Sequence, residues 1–385
     1  TFVDLTHNPV SHNADAELDT LSATATDPVL IDAITLLQNA PPAIEVDVLN
    51  RVPPDTSTAI ELTGQQALRG ALNTVNYRLQ QWRAQDLNRI AATTPTRVAG
   101  ELAELPTPEP LHLVWLRAFT ARGQQDGHHD YAPFRNQTQG FTLGIDRQLD
   151  SSTLLGMALS YADSEIELTG FRSGDQSQIQ TVQVSSYAGQ DFGAWYWDGW
   201  LSLARQHYHN LHDVGVIGRA SSQYEGHNAN SRVTVGASLP INAQWRLTPS
   251  LGWEWNYLAL AAYDESDSEA LALHVEQRSA HRLASLLGFE LASTKLYSDA
   301  VWTPSLHTIW RHEWHNKGIN TRAHYLHGGA SFITPGQDLP SDSVQIGATL
   351  SVQPSKNLSF NASIDAEWAS HYQSYSAQFS GNWQF

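Results

Sequence analysis

The sequence contains no cysteine among its 385 residues, which excludes a disulfide framework, a thiolate zinc site and a cysteine nucleophile. It also lacks any apolar run of about 18 residues or more, so no membrane-spanning helix is encoded. Basic residues are scarce: 22 Lys and Arg stand against 39 Asp and Glu, a formal charge of −17. Phosphate backbones are held by clustered Lys and Arg, so nucleic acid is not an expected partner. No charged leader and no apolar leader stretch open the chain, which begins at Thr1. The expectation is a processed or partial chain whose export signal lies outside it.

Aromatic residues are abundant instead, with 13 Trp, 13 Tyr and 11 Phe. Hydrophobic residues make up 41% and the mean hydropathy is −0.35, values typical of a soluble protein. They suit a transmembrane barrel equally, because each strand alternates lipid-facing and lumen-facing residues and averages to neutral. In a soluble protein the aromatics would be core or binding surface; in a barrel they form interfacial girdles.

Three zones follow one another. Residues 1–56 are acidic and polar, with two short helix-like segments. Asp27 and Pro28 open the first, where Asp suits the N-cap and Pro the first helical position. Ile31, Ile34, Leu36 and Leu37 continue it, Pro41-Pro42 stops it, and Ile44 to Val52 form the second. Residues 57–92 read as one long helix, with Ser57 or Thr58 as N-cap and Glu61 nearly in the capping-box position. Leu68, Leu72, Val75, Leu79 and Trp82 step by four and three and make one apolar stripe; Arg69, Asn73, Asn76, Gln80 and Arg83 make a parallel polar stripe. Residues 93–110, with Pro95, Pro106, Pro108 and Pro110, read as a linker.

From Leu111 to Phe385 the period changes to two. In the last strand Tyr375, Ala377, Phe379, Gly381, Trp383 and Phe385 point one way, and Ser374, Ser376, Gln378, Ser380, Asn382 and Gln384 the other. Twelve such strands are expected, near 112–121, 136–148, 153–166, 177–191, 194–209, 222–239, 243–262, 275–292, 299–314, 342–353, 357–369 and 372–385. Many run longer than soluble strands and suit tilted membrane strands. Their connections alternate between short (near Asp150, Phe192, Ile241, Thr294 and Ser355) and long (121–135, 167–176, 210–221, 263–274 and 315–341), with a short exception near Ser370. Bacterial outer-membrane barrels show this alternation of tight periplasmic turns and large external loops. The fold class is therefore an all-β transmembrane barrel of about 12 antiparallel strands. Twelve strands leave a lumen between the side-chain-filled small barrel and the open porin, wide enough for one helix of ~10–12 Å diameter. Arg69, Arg78, Arg83 and Arg89 on the helix against Asp365 and Glu367 on the wall favour threading it through.

Several segments bring a family to mind in order: Asn76-Tyr77-Arg78-Leu79, Trp115 to Phe119, Gln139 to Asp146, Ser279 to Leu291, Gly328 to Phe332 and the ending Phe379-Ser380-Gly381-Asn382-Trp383-Gln384-Phe385. Over about residues 55–385 the chain resembles the autotransporter translocator domain of type V secretion. The resemblance implies a monomeric barrel in the Gram-negative outer membrane that exports and anchors an N-terminal passenger at the cell surface. It implies a helix inside the pore, with residues 1–56 as passenger stub or junction. It also implies help from the barrel assembly machinery and periplasmic chaperones, the former reading Phe379, Trp383 and Phe385 as its signal. A bland reading of those three is an ordinary lipid-facing strand.

Some relatives cleave their passenger at an asparagine in the pore helix. Here the weak candidates are Asn73 and Asn76, with Asp365 and Glu367 as carboxylates; Thr74 stands where a second Asn would be expected, and polar residues facing lumen water is the simpler reading. The histidine groups His128-His129-Asp130, His207/His209/His212 and His312/His315 fall near expected loops and read as solvated rim residues, so no metal is expected and no cofactor motif is found. Gly170 to Gly174 has its serine out of register for a nucleophile elbow and reads as a turn. Trp195, Trp197, Trp200, Trp253 and Trp255 suit a membrane-interface girdle better than a carbohydrate platform. The leading expectation is a translocation pore and anchor without turnover. The alternatives are a barrel that cleaves its own passenger, a plain porin-like channel and a soluble all-β binding protein.

Overall fold

A computed structural model describes residues 2, 5, 10–55, 58–92, 112–127, 131–267, 270–297, 300–355 and 357–384, with side chains of the long helix described up to Arg83. Twelve long strands follow the expected order: β1 His112–Gln125, β2 Phe134–Gln148, β3 Thr153–Leu168, β4 Gln176–Asp191, β5 Trp195–Asp213 and β6 Arg219–Ala237, then β7 Trp245–Leu260, β8 Arg278–Ser293, β9 Ala300–Glu313, β10 Asp342–Ser355, β11 Leu358–Ala369 and β12 Tyr372–Gln384. Each pairs antiparallel with the next. β12 returns to β1 in continuous register from Leu113↔Gln384 to Gln125↔Tyr372, which closes the ring. Closure leaves no unpaired edge, the condition for a sheet to exist in hydrocarbon.

Alternation sets the two faces. In β12 Tyr375, Phe379 and Trp383 are exposed outward, while Ser374, Gln378, Ser380 and Asn382 are buried toward the lumen. The outward set continues around the ring through Leu116, Leu143, Leu159, Leu203, Leu306 and Ile364. Apolar exposure on that scale is stable only against lipid. On β5 the outward residues change from Leu201 and Leu203 to Arg205, His207 and His209, where Arg205 pairs with Glu225 on β6. The strands therefore rise beyond the apolar band at this end, and β1 and β5 run four residues further than their periodicity indicates. Among the described residues no cluster of His, Cys, Asp or Glu is arranged to hold a metal ion.

Small residues let the wall carry large inward rings. Trp115 lies over Gly144, where an added Cβ would meet its ring at 2.1 Å, and Tyr187 lies over Gly156 at 2.2 Å. The indole N–H of Trp115 donates to the Tyr187 hydroxyl at 2.8 Å, tying β1 to β4 across the two strands between them.

The N-terminal zone holds three helices rather than two: α1 His12–Thr24, α2 Pro28–Gln38 and α3 Pro42–Arg51. α2 begins as its sequence indicates, with the Asp27 carboxylate accepting from the Val29 and Leu30 amides and Pro28 in the first turn. α1 escaped notice because it has no apolar stripe of comparable strength; it buries only Ala14, Asp15, Leu18 and Leu21. The helices pack on a four-stranded sheet made from the two long connections after β7 and β9, in the order Phe332–Thr334, Thr321–Tyr325, Leu273–Val275 and Tyr263–Asp264, so that Val275 belongs to this sheet and not to the barrel strand expected from 275. Leu18, Leu30, Leu37, Val48 and Leu49 are fully buried against Leu273, Val275, Ala323 and Tyr325. Burial of each such aliphatic side chain contributes about 1.5–3 kcal/mol.

The long helix, α4 Ala59–Ala92, runs through the lumen. At ~1.5 Å per residue its 34 residues reach roughly 50 Å, the span of a bilayer with its headgroups. Its first turn lies at the long-loop end, where the Thr58 hydroxyl donates to Gln125 at 2.7 Å. With Thr58 as cap the capping box does not form: its hydroxyl reaches the wall, and Glu61 pairs across the lumen with Arg282. Ser57, the linker at 93–110, His128, His129, Asp130 and Phe385 lie outside the described residues, as do the side chains of Asp86 and Arg89.

Candidate functional site

The site is the seam between α4 and the inner wall, and the two stripes of the helix divide it. The apolar stripe turns toward β1 to β5. Leu72, Val75, Leu79 and Trp82 share one cluster with Leu113, Trp115, Leu154, Ala158, Tyr187 and Trp200. One turn nearer the loops, Ala67 and Ala71 meet Phe119 and Ala162. Gly70 is the close point: a Cβ there would sit 2.5 Å from Cε2 of the Phe119 ring, whose neighbouring Cζ lies 2.5 Å from a Cβ built on Gly140. The Phe119 ring is therefore held between a glycine of the helix and a glycine of the wall.

The polar stripe turns toward β5 to β11, and its charges are matched. Arg69 stands 3.9, 3.5 and 3.6 Å from Glu254, Glu313 and Glu367, three carboxylates on three strands. Glu254 is also gripped by both 2.9 Å donations from Arg311, with Arg232 at 4.0 Å. Near the short-turn end Arg83 pairs with Asp198 on β5 and lies 3.7 Å over the Tyr196 ring. Arg78 belongs to neither stripe. It makes the best-formed pair of the seam, a two-point contact with Asp146 on β2 through Nε at 2.7 Å and Nη2 at 2.8 Å. The Tyr187 hydroxyl donates to the same carboxylate at 3.0 Å, so the Trp115–Tyr187 tie also fixes the seat of Arg78.

The remaining candidates are dispersed along the seam. Asn76 accepts the Trp200 indole N–H at 3.0 Å. Gln80 lines the cavities beside the lower half of the helix and Asn73 the one beside its upper half. Asp365 accepts from the Tyr77 hydroxyl at 3.1 Å and from Gln345 at 2.9 Å, and lies 2.7 Å from His307 Nε2. Glu367 accepts from Ser343 at 2.8 Å and faces Arg69. Among the described residues, the carboxylates lining the cavity at Asn73, those of Glu254, Glu313, Asp365 and Glu367, each have a cation or a donor as partner.

Phe379 and Trp383 face outward on β12, as the alternation requires, and stay compatible with both a recognition signal and a plain lipid-facing strand. Trp200 points inward, unlike Trp195, Trp197, Trp253 and Trp255, because its position on β5 has the opposite parity. Sequence reasoning missed the wall partners Asp146, Asp198, Glu254, Arg282 and Arg311. Strand parity was the available signal: each falls on the lumen-facing phase of its strand, where a charge has no lipid to avoid.

Comparison with known proteins agrees with this geometry. The model of the autotransporter β-domain family matches residues 114–365. Outer membrane protein B of Rickettsia prowazekii is 20% identical over 339 residues, which is 83% of this chain and 20% of that protein. Outer membrane protein A of Rickettsia conorii is 21% identical over 213 residues, 53% of this chain and 10% of that one. The chain thus spans about a tenth to a fifth of the length of these curated relatives. Among solved structures, the translocator domain of the autotransporter NalP from Neisseria meningitidis superposes with a TM-score of 0.58 at 15% identity, covering 82% of this chain and 99% of that one. The transport unit of AIDA-I from Escherichia coli gives 0.52 at 13% identity, covering 78% and 97%.

Proposed function

The chain belongs to the autotransporter β-domain family and is an outer-membrane translocator barrel, and from that premise we propose that it exported, and now anchors, a passenger joined to the N-terminal side of α4. The observation that carries this reading is the direction of the helix: it runs through a closed ring with its start at the long-loop end, and wall charges pin it at Arg69, Arg78 and Arg83. Chain upstream of α4 therefore lies on the external side, which follows if it passed through the lumen.

The barrel works as a pore and anchor without turnover. The self-cleavage reading at Asn73 or Asn76 draws no support from Asp365 and Glu367, whose carboxylates are engaged by Tyr77, Gln345, Ser343 and Arg69. Phe379, Trp383 and Phe385 serve as the signal read by the barrel assembly machinery, with periplasmic chaperones delivering the unfolded chain. Residues 57–92 act as plug and 111–385 as barrel.

Planar-bilayer conductance tests the plug. The full chain should pass little current, and deletion of residues 10–92 should open a large, steady conductance. Equal conductance of the two would leave a porin-like channel as the better reading.

A further inference from the structure

α4 does not fill the lumen. Its packing against β1 to β5 leaves much of the other side open, and cavities of about 100, 90 and 60 Å³ follow the helix mainly along β6 to β12, reaching β1 and β5 at their margins. Their lining is wet: Arg232, Glu254 and Arg311 above, Arg246 and Glu290 below. The lower space reaches Asp191 and Ser238 at the short-turn end. Polar cavities beside a helix conduct ions where they join, unless something else closes them.

Closure is found at the other end. The start of α4 is ringed by apolar side chains, with Ala59 and Leu62 packed among Phe134, Tyr208, Leu258 and Leu339. Leu339 comes from the 314–341 loop, which crosses the mouth. Within that crossing Gln337 accepts from the Thr58 amide at 3.2 Å and from Gln125 at 3.0 Å. The crossing is continuous with the short strand Phe332–Thr334, and that strand is held from above by α1. Asn13 donates to the Ile333 carbonyl at 2.6 Å, the Ala330 amide donates to Glu17 at 2.5 Å, and the Tyr325 hydroxyl donates to the Ala14 carbonyl at 3.3 Å.

The helices are also clasped to the rim. The Arg172 guanidinium donates to the Pro53 carbonyl at 2.9 Å, and His212 Nε2 lies 2.6 Å from the Arg51 carbonyl. Burial opposes the charge on Arg172, but Asp175 and Asp55 outweigh it and hold its pKa above the ordinary value. The loop strands have two to five residues each and cannot stand as an isolated sheet. Among the described residues, their apolar face packs against α1 to α3 together with Phe2 and Val214.

Resting on the plugged-translocator reading, we infer that residues 10–55 are a lid: α1 to α3 fold with the external loops into one body that closes the channel left beside the pore helix. The helix occupies the lumen, and the lid makes it tight.

Bilayer conductance of the full chain carrying Leu18→Asp and Leu37→Asp tests this. Both side chains are completely buried in the core shared by α1 to α3 and the loop strands, and heat-modifiable migration on a gel reports that the barrel itself is folded. The expected result is a several-fold rise in conductance with α4 still in place, below that of the 10–92 deletion, which removes lid and helix together. A folded barrel that stays closed, next to a deletion that conducts, overturns the lid alone. A deletion that fails to conduct overturns the plug reading and the lid with it. Should the variant not assemble, hydrogen exchange on the unaltered protein decides: amides of Thr321–Tyr325 and of Leu30 to Leu37 should open as one cooperative unit. Rapid exchange of the loop strand beneath protected helices overturns the inference.

Discussion

The two sides of the pore helix are held by different physics. Toward β1 to β5 the contact is mostly dry and steric: leucines, alanines and Trp82 against rings seated over glycines. Toward β6 to β11 it is wet and electrostatic, with Arg69 reaching across a cavity to carboxylates on three strands. Dry packing fixes position to fractions of an ångström, because overlap is penalised steeply. Long charged side chains tolerate displacement and share partners, as Arg69 does with three carboxylates. A segment that must slide through a lumen and then stop can use the second kind of contact while moving and the first once seated.

The largest effect should come where a charge is buried inside the dry side. Arg78 and Asp146 have side chains 5% and 1% exposed, so Arg78→Ala leaves a carboxylate without its cation in a closed site. Removing one partner of such a pair typically costs about 3–5 kcal/mol. Urea unfolding of the barrel followed by tryptophan emission should show a loss of that order. A loss under about 1 kcal/mol, the size for exposed pairs, would mean the seat is wet and the contrast between the sides is false.

Next comes the steric contact itself. Gly70→Val places its Cβ 2.5 Å from the buried Phe119 ring. Overpacking of this kind costs about 1–3 kcal/mol. Phe119→Ala introduced with it should leave the double variant less destabilised than the sum of the two, since each change relieves the other. Strict additivity in the same unfolding assay would show that helix and wall do not touch at this point.

What made these features readable differs from residue to residue. The ring was legible because a lipid-facing strand must alternate at every step, and β12 does so from Tyr375 to Trp383. The faces of α4 were legible for the same reason, since Leu72, Val75, Leu79 and Trp82 repeat at the helical period. The pairing of Arg78 with Asp146 was not, because the two lie 68 positions apart and only closure of the sheet fixes which wall residue the helix meets. Gly70 reads as a flaw in a helix until Phe119 is opposite it. The lid was least legible: α1 has a weak pattern, and the strands at Leu273–Val275 and Thr321–Tyr325 are too short to declare themselves without the helices that cover them.

The smallest effect belongs to the wet side. Asn73 lines the cavity shared with Arg69, Glu254, Glu313 and Glu367 and makes none of the pinning contacts. Asn73→Ala should therefore change stability by no more than about 0.5 kcal/mol, as for a solvated surface position. The same variant separates anchor from self-cleaving barrel. If the helix stays intact, both proteins migrate at the full-length mass on a denaturing gel. A wild-type chain that splits near residue 73 while the alanine variant stays whole would show that the cavity activates the amide. The carboxylates around it would then be performing chemistry as well as pairing with arginines. Intact wild type leaves the cavity as the space the helix needs to slide past its electrostatic side, which is what a wall built from movable charges opposite a wall built from fixed rings provides.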